Sequence, residues 1–219
     1  MAMSVVNFLS GMKILEDIKS PINGRITVVK NLGMKPYIQV GGLTQSGGVV
    51  KGVWKNTLKK VASSKEQVAR VLILGLGGGT VAGLVRKFWL EAKITGVEID
   101  PIFVALGKKY LGLDEKEIEI VIGDAQEFIS VHGKRKTVHY DLILVDMYIG
   151  DEVPKKFETL SFMKKVKRLL SKDGSIVFNR LYYGTKRSEA VKFGKLLEKV
   201  FSKVNVHYPE ANVMFICKQ

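Results

Sequence analysis

Five short stretches of this chain carry residues that could do chemistry. Gly75-Leu76-Gly77-Gly78-Gly79-Thr80 follows an apolar run and opens a helical pattern. Glycines at 75, 77 and 79 let backbone approach a ligand, and the helix that follows offers free N–H groups at its start. Glu98 closes the next apolar run, with Ile99 beside it. A carboxylate there can accept from both hydroxyls of a ribose, or stand as a solvated strand-end acid; its place next to the glycine loop favours the ribose. Asp124, in Gly123-Asp124-Ala125, can accept from an adenine amino group or cap a helix, and the two roles are compatible. Asp146 closes a fourth run and leads into Met147-Tyr148-Ile149-Gly150-Asp151-Glu152. A carboxylate there could orient a substrate nucleophile or hold a cationic group. Asn179-Arg180-Leu181-Tyr182-Tyr183-Gly184 closes a fifth, and its paired tyrosines either wall a pocket or pack beneath its rim.

The elements that must position these residues are strands. VLILG (71–75) is a continuous apolar run, and ITGVEI (94–99), IEIVIG (118–123), DLILVD (141–146) and SIVFN (175–179) read as four further strands. Helical patterns alternate with them. Val81, Leu84, Val85 and Phe88 form one apolar face; Asp100 caps a helix starting at Pro101; 124–132 is a short helix; Phe162, Val166, Leu169 and Leu170 form a stripe; Ala190, Phe193, Gly194, Leu197 and Phe201 form the last. Strands near 204–208 and 212–217, parted by Pro209-Glu210-Ala211, pair as an antiparallel hairpin. The prediction is an α/β fold, a Rossmann-like, seven-stranded, mostly parallel sheet with helices on both faces. In such a sheet ligands bind at the carboxyl ends of the strands, where every residue above stands. Residues 1–63 read as a small β-rich cap, with strands at 26–30 and 37–41 turned at Asn31-Leu32-Gly33, the run GGLTQSGG, and a helix from about 53 to 62. The junction falls at Ser63-Ser64, and residues 64–219 form the main domain.

Taken together, these residues resemble the class I S-adenosylmethionine-dependent transferases. NAD-binding folds share the glycine loop and the strand-end acid, but show GxGxxG, and here the sixth position is Thr80. Within that class the chain is most similar to the spermidine synthase (polyamine aminopropyltransferase) family. VEIDP (97–101), KKYL (108–111), GDA (123–125) and YDLILVD (140–146) carry the likeness, as does Gln45 in a small N-terminal β-domain. It extends over roughly residues 20–200. The resemblance implies S-adenosylmethionine or its decarboxylated form held by Gln45, Gly75, Gly77, Gly79, Glu98, Ile99, Asp124, Ala125 and Asp146, with Asp146 also the catalytic group. It places Trp54, Tyr148, Asn179 and Tyr182 toward the acceptor, and implies a homodimer through the N-terminal β-domain or adjoining surfaces.

The departures from that family bear on the reaction. The loop acid that holds the aminopropyl amine falls on Gly78, and the second acid of the motif begun by Asp146 falls on Ile149. A tyrosine–glutamine pair becomes Trp54-Lys55, and a glutamine after the fifth strand becomes Asn179. Two carboxylates are lost from the polyamine path and a cation is gained, which disfavours a polycationic substrate. The expectation is methyl transfer to an unidentified small-molecule acceptor. The alternatives are aminopropyl transfer with Asp151 or Glu152 as a rewired base, or nucleic-acid binding on the same fold.

Composition bounds these readings. The 219 residues are 46% hydrophobic and 26% charged, the balance of a globular chain rather than a disordered one. Thirty-five Lys and Arg against 21 Asp and Glu leave a net charge of +14, a solvated basic surface before it is a nucleic-acid site. No apolar run reaches the roughly 18 residues of a membrane span, and the N-terminus shows no signal-peptide pattern. A lone Cys217 forms no internal disulfide, which points to the cytoplasm. His132, His139 and His207 are too scattered to bind a metal. Lys134-Arg135-Lys136 is expected on the edge remote from the site. Lys155, Lys156, Arg180, Lys186 and Arg187 are expected on the site edge, giving a basic mouth.

Overall fold

The run Val71-Leu72-Ile73-Leu74 shows why the main sheet forms. All four side chains are buried, Val71 and Ile73 on one face and Leu72 and Leu74 on the other, so the strand is apolar throughout because helices cover both faces. The computed structural model describes residues 11–64, 67–114, 117–133 and 138–219; the basic run Lys134-Arg135-Lys136 and the first ten residues lie outside them. The main sheet contains β5 (Arg70–Leu74), β6 (Lys93–Glu98), β7 (Ile118–Ile122), β8 (Tyr140–Val145), β9 (Leu170–Leu181), β10 (Lys203–His207) and β11 (Asn212–Lys218). Their order is β10-β11-β9-β8-β5-β6-β7, and β11 alone runs against the rest. The expected seven-stranded, mostly parallel α/β sheet and its terminal antiparallel hairpin are both present.

One face is covered by α1 (Gly48–Ala62) and α2 (Thr80–Phe88), which bring Val53, Trp54, Leu58, Val81 and Val85 against Val71, Ile73, Leu142 and Leu144. The other is covered by α4 (Ala125–His132), α5 (Leu160–Lys167) and α6 (Lys186–Glu198), through Phe128, Ile129, Phe162, Val166, Phe193 and Leu197. Preceding the main sheet is an antiparallel meander of β1 (Met12–Ser20), β2 (Gly24–Asn31), β3 (Tyr37–Val40) and β4 (Leu43–Ser46). It lays Ile26, Val28, Ile38 and Val40 on Phe103 and Leu106 of α3 (Pro101–Leu111).

A second attachment is polar. Asp100, fully buried, caps α3 by accepting from the Ile102 N–H at 3.0 Å. The same carboxyl group accepts from Ser20 Oγ and from Asn23 Nδ2, both in the β1–β2 turn.

Several elements depart from expectation. β1 and β4 have no counterpart in the sequence reading. A bulge at Leu15 in β1 sends Leu15 and Ile18 to one cluster despite their three-residue spacing, which erases the two-residue strand period. α1 begins at Gly48, not near 53. The stripe that included Leu169 and Leu170 breaks at Lys167: Leu170 pairs with Tyr140 as the first residue of β9, yet its side chain stays in the helix's own cluster. Phe201 likewise packs in the core beyond the end of α6.

Candidate active site

The strand-ending residues meet in one cleft of ≈ 410 Å³, floored by the carboxyl ends of β5, β6, β8 and β9 and roofed by β4 and the start of α1. Gly75 is the floor. Its φ is +86°, and a Cβ there would stand 2.1 Å from the Asp146 carbonyl oxygen, so only glycine lets the β5 and β8 ends converge.

Glu98 is buried with both oxygens engaged by backbone, Oε2 accepting from Gly77 N–H at 2.7 Å and Oε1 from Asp100 N–H at 2.9 Å. Burial pushes its pKa up, and the two backbone donors pull the other way. Ile99, exposed beside it, lines the same wall. Asp124 caps α4, Oδ1 accepting from Gln126 N–H at 2.8 Å and Glu127 N–H at 3.2 Å, while Oδ2 pairs with Lys156. Burial alone would raise its pKa; Lys156 and the two N–H groups together hold it below the usual carboxylate value. Ala125 follows on the cleft wall. Glu98, Ile99, Asp124 and Ala125 therefore stand together on the β6–β7 side.

Asp146 stands on the other side, above β8 and β9. Trp54 Nε1 donates to its Oδ2 at 2.7 Å, and Asn179 Nδ2 donates to its Oδ1 at 2.7 Å. Asn212 Nδ2 in turn donates to Asn179 Oδ1 at 2.8 Å and fixes the amide's orientation. Burial raises the Asp146 pKa, against the pull of Asn179, Trp54 and the Arg180 guanidinium. Tyr148 Oη accepts from Leu181 N–H at 2.9 Å, and burial raises its pKa as well.

The roof is fastened to the glycine loop. Ser46 Oγ accepts from Gly78 N–H at 2.8 Å, and Thr80 Oγ1 accepts from Gly47 N–H at 2.7 Å. A Cβ at Gly78 would come within 2.8 Å of both Ile38 Cδ1 and Leu111 Cδ1, so the space beside this position is filled by apolar side chains. Gln45 lines the cleft and donates Nε2 to the Gly150 carbonyl at 2.8 Å, bridging the roof to the loop after β8.

Some expected site residues lie elsewhere. Trp54 is fully buried and meets the cleft only through Asp146. Gly79 packs against Leu113 rather than lining the cleft. Tyr182 turns to Tyr208, ring centroids 5.0 Å apart, and Tyr183 lines the cleft instead. The expected basic mouth is largely neutralised. Lys155 pairs with Glu158, Lys156 with Asp124, and Lys186 with Asp151 and Glu152, while Arg187 lies over the Tyr182 ring. Arg180 is buried, its guanidinium 3.7 Å from the Phe193 ring centre and 4.0 Å from Glu158. Val49, Val50, Phe157 and Asn212 also line the cleft and carried no sequence signal, being ordinary residues brought in by the roof, a turn and the hairpin.

Sheet order, glycine loop and strand-end acid together define a class I methyltransferase-type fold. The chain belongs to the spermine/spermidine synthase domain family, whose model matches residues 54–212. A polyamine aminopropyltransferase from Vibrio vulnificus (strain CMCP6) is 34% identical over 111 residues, covering 50% of this chain and 37% of that protein. An eEF1A lysine and N-terminal methyltransferase homolog from Drosophila melanogaster is 29% identical over 143 residues, covering 61% of this chain and 20% of that one. The chain thus spans well under half the length of these curated relatives. Among solved structures, a spermidine synthase in complex with the transition-state analogue AdoDATO superimposes with a TM-score of 0.76 at 20% identity, covering 93% of this chain and 72% of that one. Human methyltransferase-like protein 13 in complex with SAH superimposes with a TM-score of 0.62 at 22% identity, covering 78% and 79%. Among the described residues no helix is long and apolar enough to cross a membrane.

Proposed function

We propose that this chain is an S-adenosylmethionine-dependent methyltransferase acting on an acceptor bound against Asp146. The residues of the cleft fit the cosubstrate. Glu98, a buried acid at the end of β6, would take the ribose; Asp124 and Ile99 would border the adenine; the backbone of Gly75 and Gly77 would underlie the remainder. S-adenosylmethionine supplies an electrophilic methyl carbon, so the protein's task is to align an acceptor and accept its proton. Asp146, held by Trp54 and Asn179 and raised in pKa by burial, is placed for that.

The observation that carries methyl rather than aminopropyl transfer is Gly78 itself, which has no side chain at the position where the resemblance places the amine-holding acid. Aminopropyl transfer stands as the second reading, favoured by the family model and by the aminopropyltransferase relative. Asp151 and Glu152, the candidate bases of that reading, both pair with Lys186 and line a second hollow beside α6. Titration calorimetry with S-adenosylmethionine and with its decarboxylated form tests the choice. The expected result is tighter binding of the carboxylated form. A preference of tenfold or more for the decarboxylated form overturns the methyl reading.

A further inference from the structure

The acceptor half of the cleft differs in character from the cosubstrate half. Its mouth is formed by Leu43, Val49, Ile149 and Tyr183, which are 36%, 68%, 42% and 38% exposed. Large apolar side chains left facing solvent around a concavity mark a surface that an apolar partner covers. The polar groups behind them are already engaged with one another: Gln45 with Gly150, Asn179 with Asp146 and Asn212, and Tyr148 with the backbone of β9.

The charge of the floor is the second observation. Among the described residues, Asp146 is the only carboxylate lining this half. Arg180 lies buried behind it, near enough to act on its charge, and Glu158 lies 4.0 Å from Arg180 with Lys155 paired to Glu158 in turn. Both Asp146 oxygens are already held by donors of the protein, Trp54 and Asn179. A cation entering this half would lose its water and meet no carboxylate free of protein donors, a cost that an uncharged molecule does not meet.

From this geometry we infer that the acceptor is a neutral, largely apolar small molecule bearing one hydroxyl group, bound with its apolar body against Leu43, Val49, Ile149 and Tyr183 and its hydroxyl on Asp146. This rests on the methyltransferase reading above. In the transfer the hydroxyl oxygen gains the methyl group, the sulfur keeps the electron pair of the broken carbon–sulfur bond, and the hydroxyl proton passes to the Asp146 carboxylate. Ile149 becomes the specificity-determining residue: an apolar side chain at the mouth, where the resemblance places an acid.

The test uses the full chain at pH 7, saturated with S-adenosylhomocysteine, whose own binding is measured first by calorimetry. 2-Naphthol, hexylamine and putrescine are then titrated as neutral, singly charged and doubly charged probes. Naphthol is expected to bind at least tenfold more tightly than either amine. Ile149→Asp, at an exposed position, should narrow that ratio at least tenfold by admitting cations. Val49→Asp, also exposed, should weaken naphthol at least fivefold. Amines that bind as tightly as naphthol, no measurable naphthol binding, or naphthol binding indifferent to both substitutions overturn the inference. Failure to bind S-adenosylhomocysteine sinks instead the cosubstrate reading beneath it.

Discussion

Replacing Trp54 with Phe removes one hydrogen bond and leaves the ring's packing largely in place. The lost bond runs 2.7 Å from Trp54 Nε1 to Asp146 Oδ2, between a fully buried indole and a carboxyl group whose pKa burial has raised. A hydrogen bond to a charged partner contributes about 1.5–3 kcal/mol, and one to a neutral partner about 1 kcal/mol. The cost of the variant therefore depends on pH. Asp146 has a folded-state pKa above its ordinary value, so its ionisation works against the fold as pH rises through that range. The indole N–H pulls this pKa down; without it the folded-state value climbs further and the penalty at neutral pH grows. Urea unfolding followed by far-ultraviolet circular dichroism should give a loss of about 1–3 kcal/mol that is larger at pH 8 than at pH 4.5. A loss under about 0.5 kcal/mol at pH 8, or a larger loss at acid pH, would show that Trp54 does not hold Asp146 in this way.

Gly75→Ala should lower stability by about 3 kcal/mol or more, because the new Cβ would meet a backbone oxygen at 2.1 Å and the φ of +86° disfavours a side chain; denaturant midpoints read this, and a near-normal midpoint contradicts the floor geometry. Glu98→Ala should abolish S-adenosylmethionine binding in calorimetry while the protein still unfolds cooperatively; unchanged affinity removes Glu98 from the cosubstrate site.

The main sheet was legible because its signals are local. VLIL and LILV are unbroken apolar runs, each followed by a residue that stops a strand, and chain order then places their ends on one edge. The meander was half legible, since the Leu15 bulge breaks the period on which strand recognition depends. At the candidate site the sequence brought Gly75, Glu98, Asp124 and Asp146 together, but not the partners that set their chemistry. Trp54 is separated from Asp146 by 92 positions and Ser46 from Gly78 by 32, and no local pattern reports such pairings. Arg180 and Tyr182 show the limit from the other side. Their place after a strand suggested the rim, yet Arg180 lies in the core over Phe193 and Tyr182 turns away to Tyr208. Which way a side chain leaves a strand end depends on the packing around it.

Asp100 couples events that the sheet diagram keeps apart. Its carboxyl group is inaccessible to water and has donors from three places: the start of α3, Ser20 and Asn23. Its own N–H holds Glu98. Until the β1–β2 turn arrives during folding, that carboxyl group lacks two of its partners, and a buried polar group without partners is costly. The half-assembled chain is thereby penalised at the residue adjoining Glu98. Docking of the N-terminal meander is linked in this way to the wall that carries Glu98, and the amide protons of Ser20, Ile22 and Asn23 should exchange with solvent more slowly whenever Glu98 is engaged by a ligand.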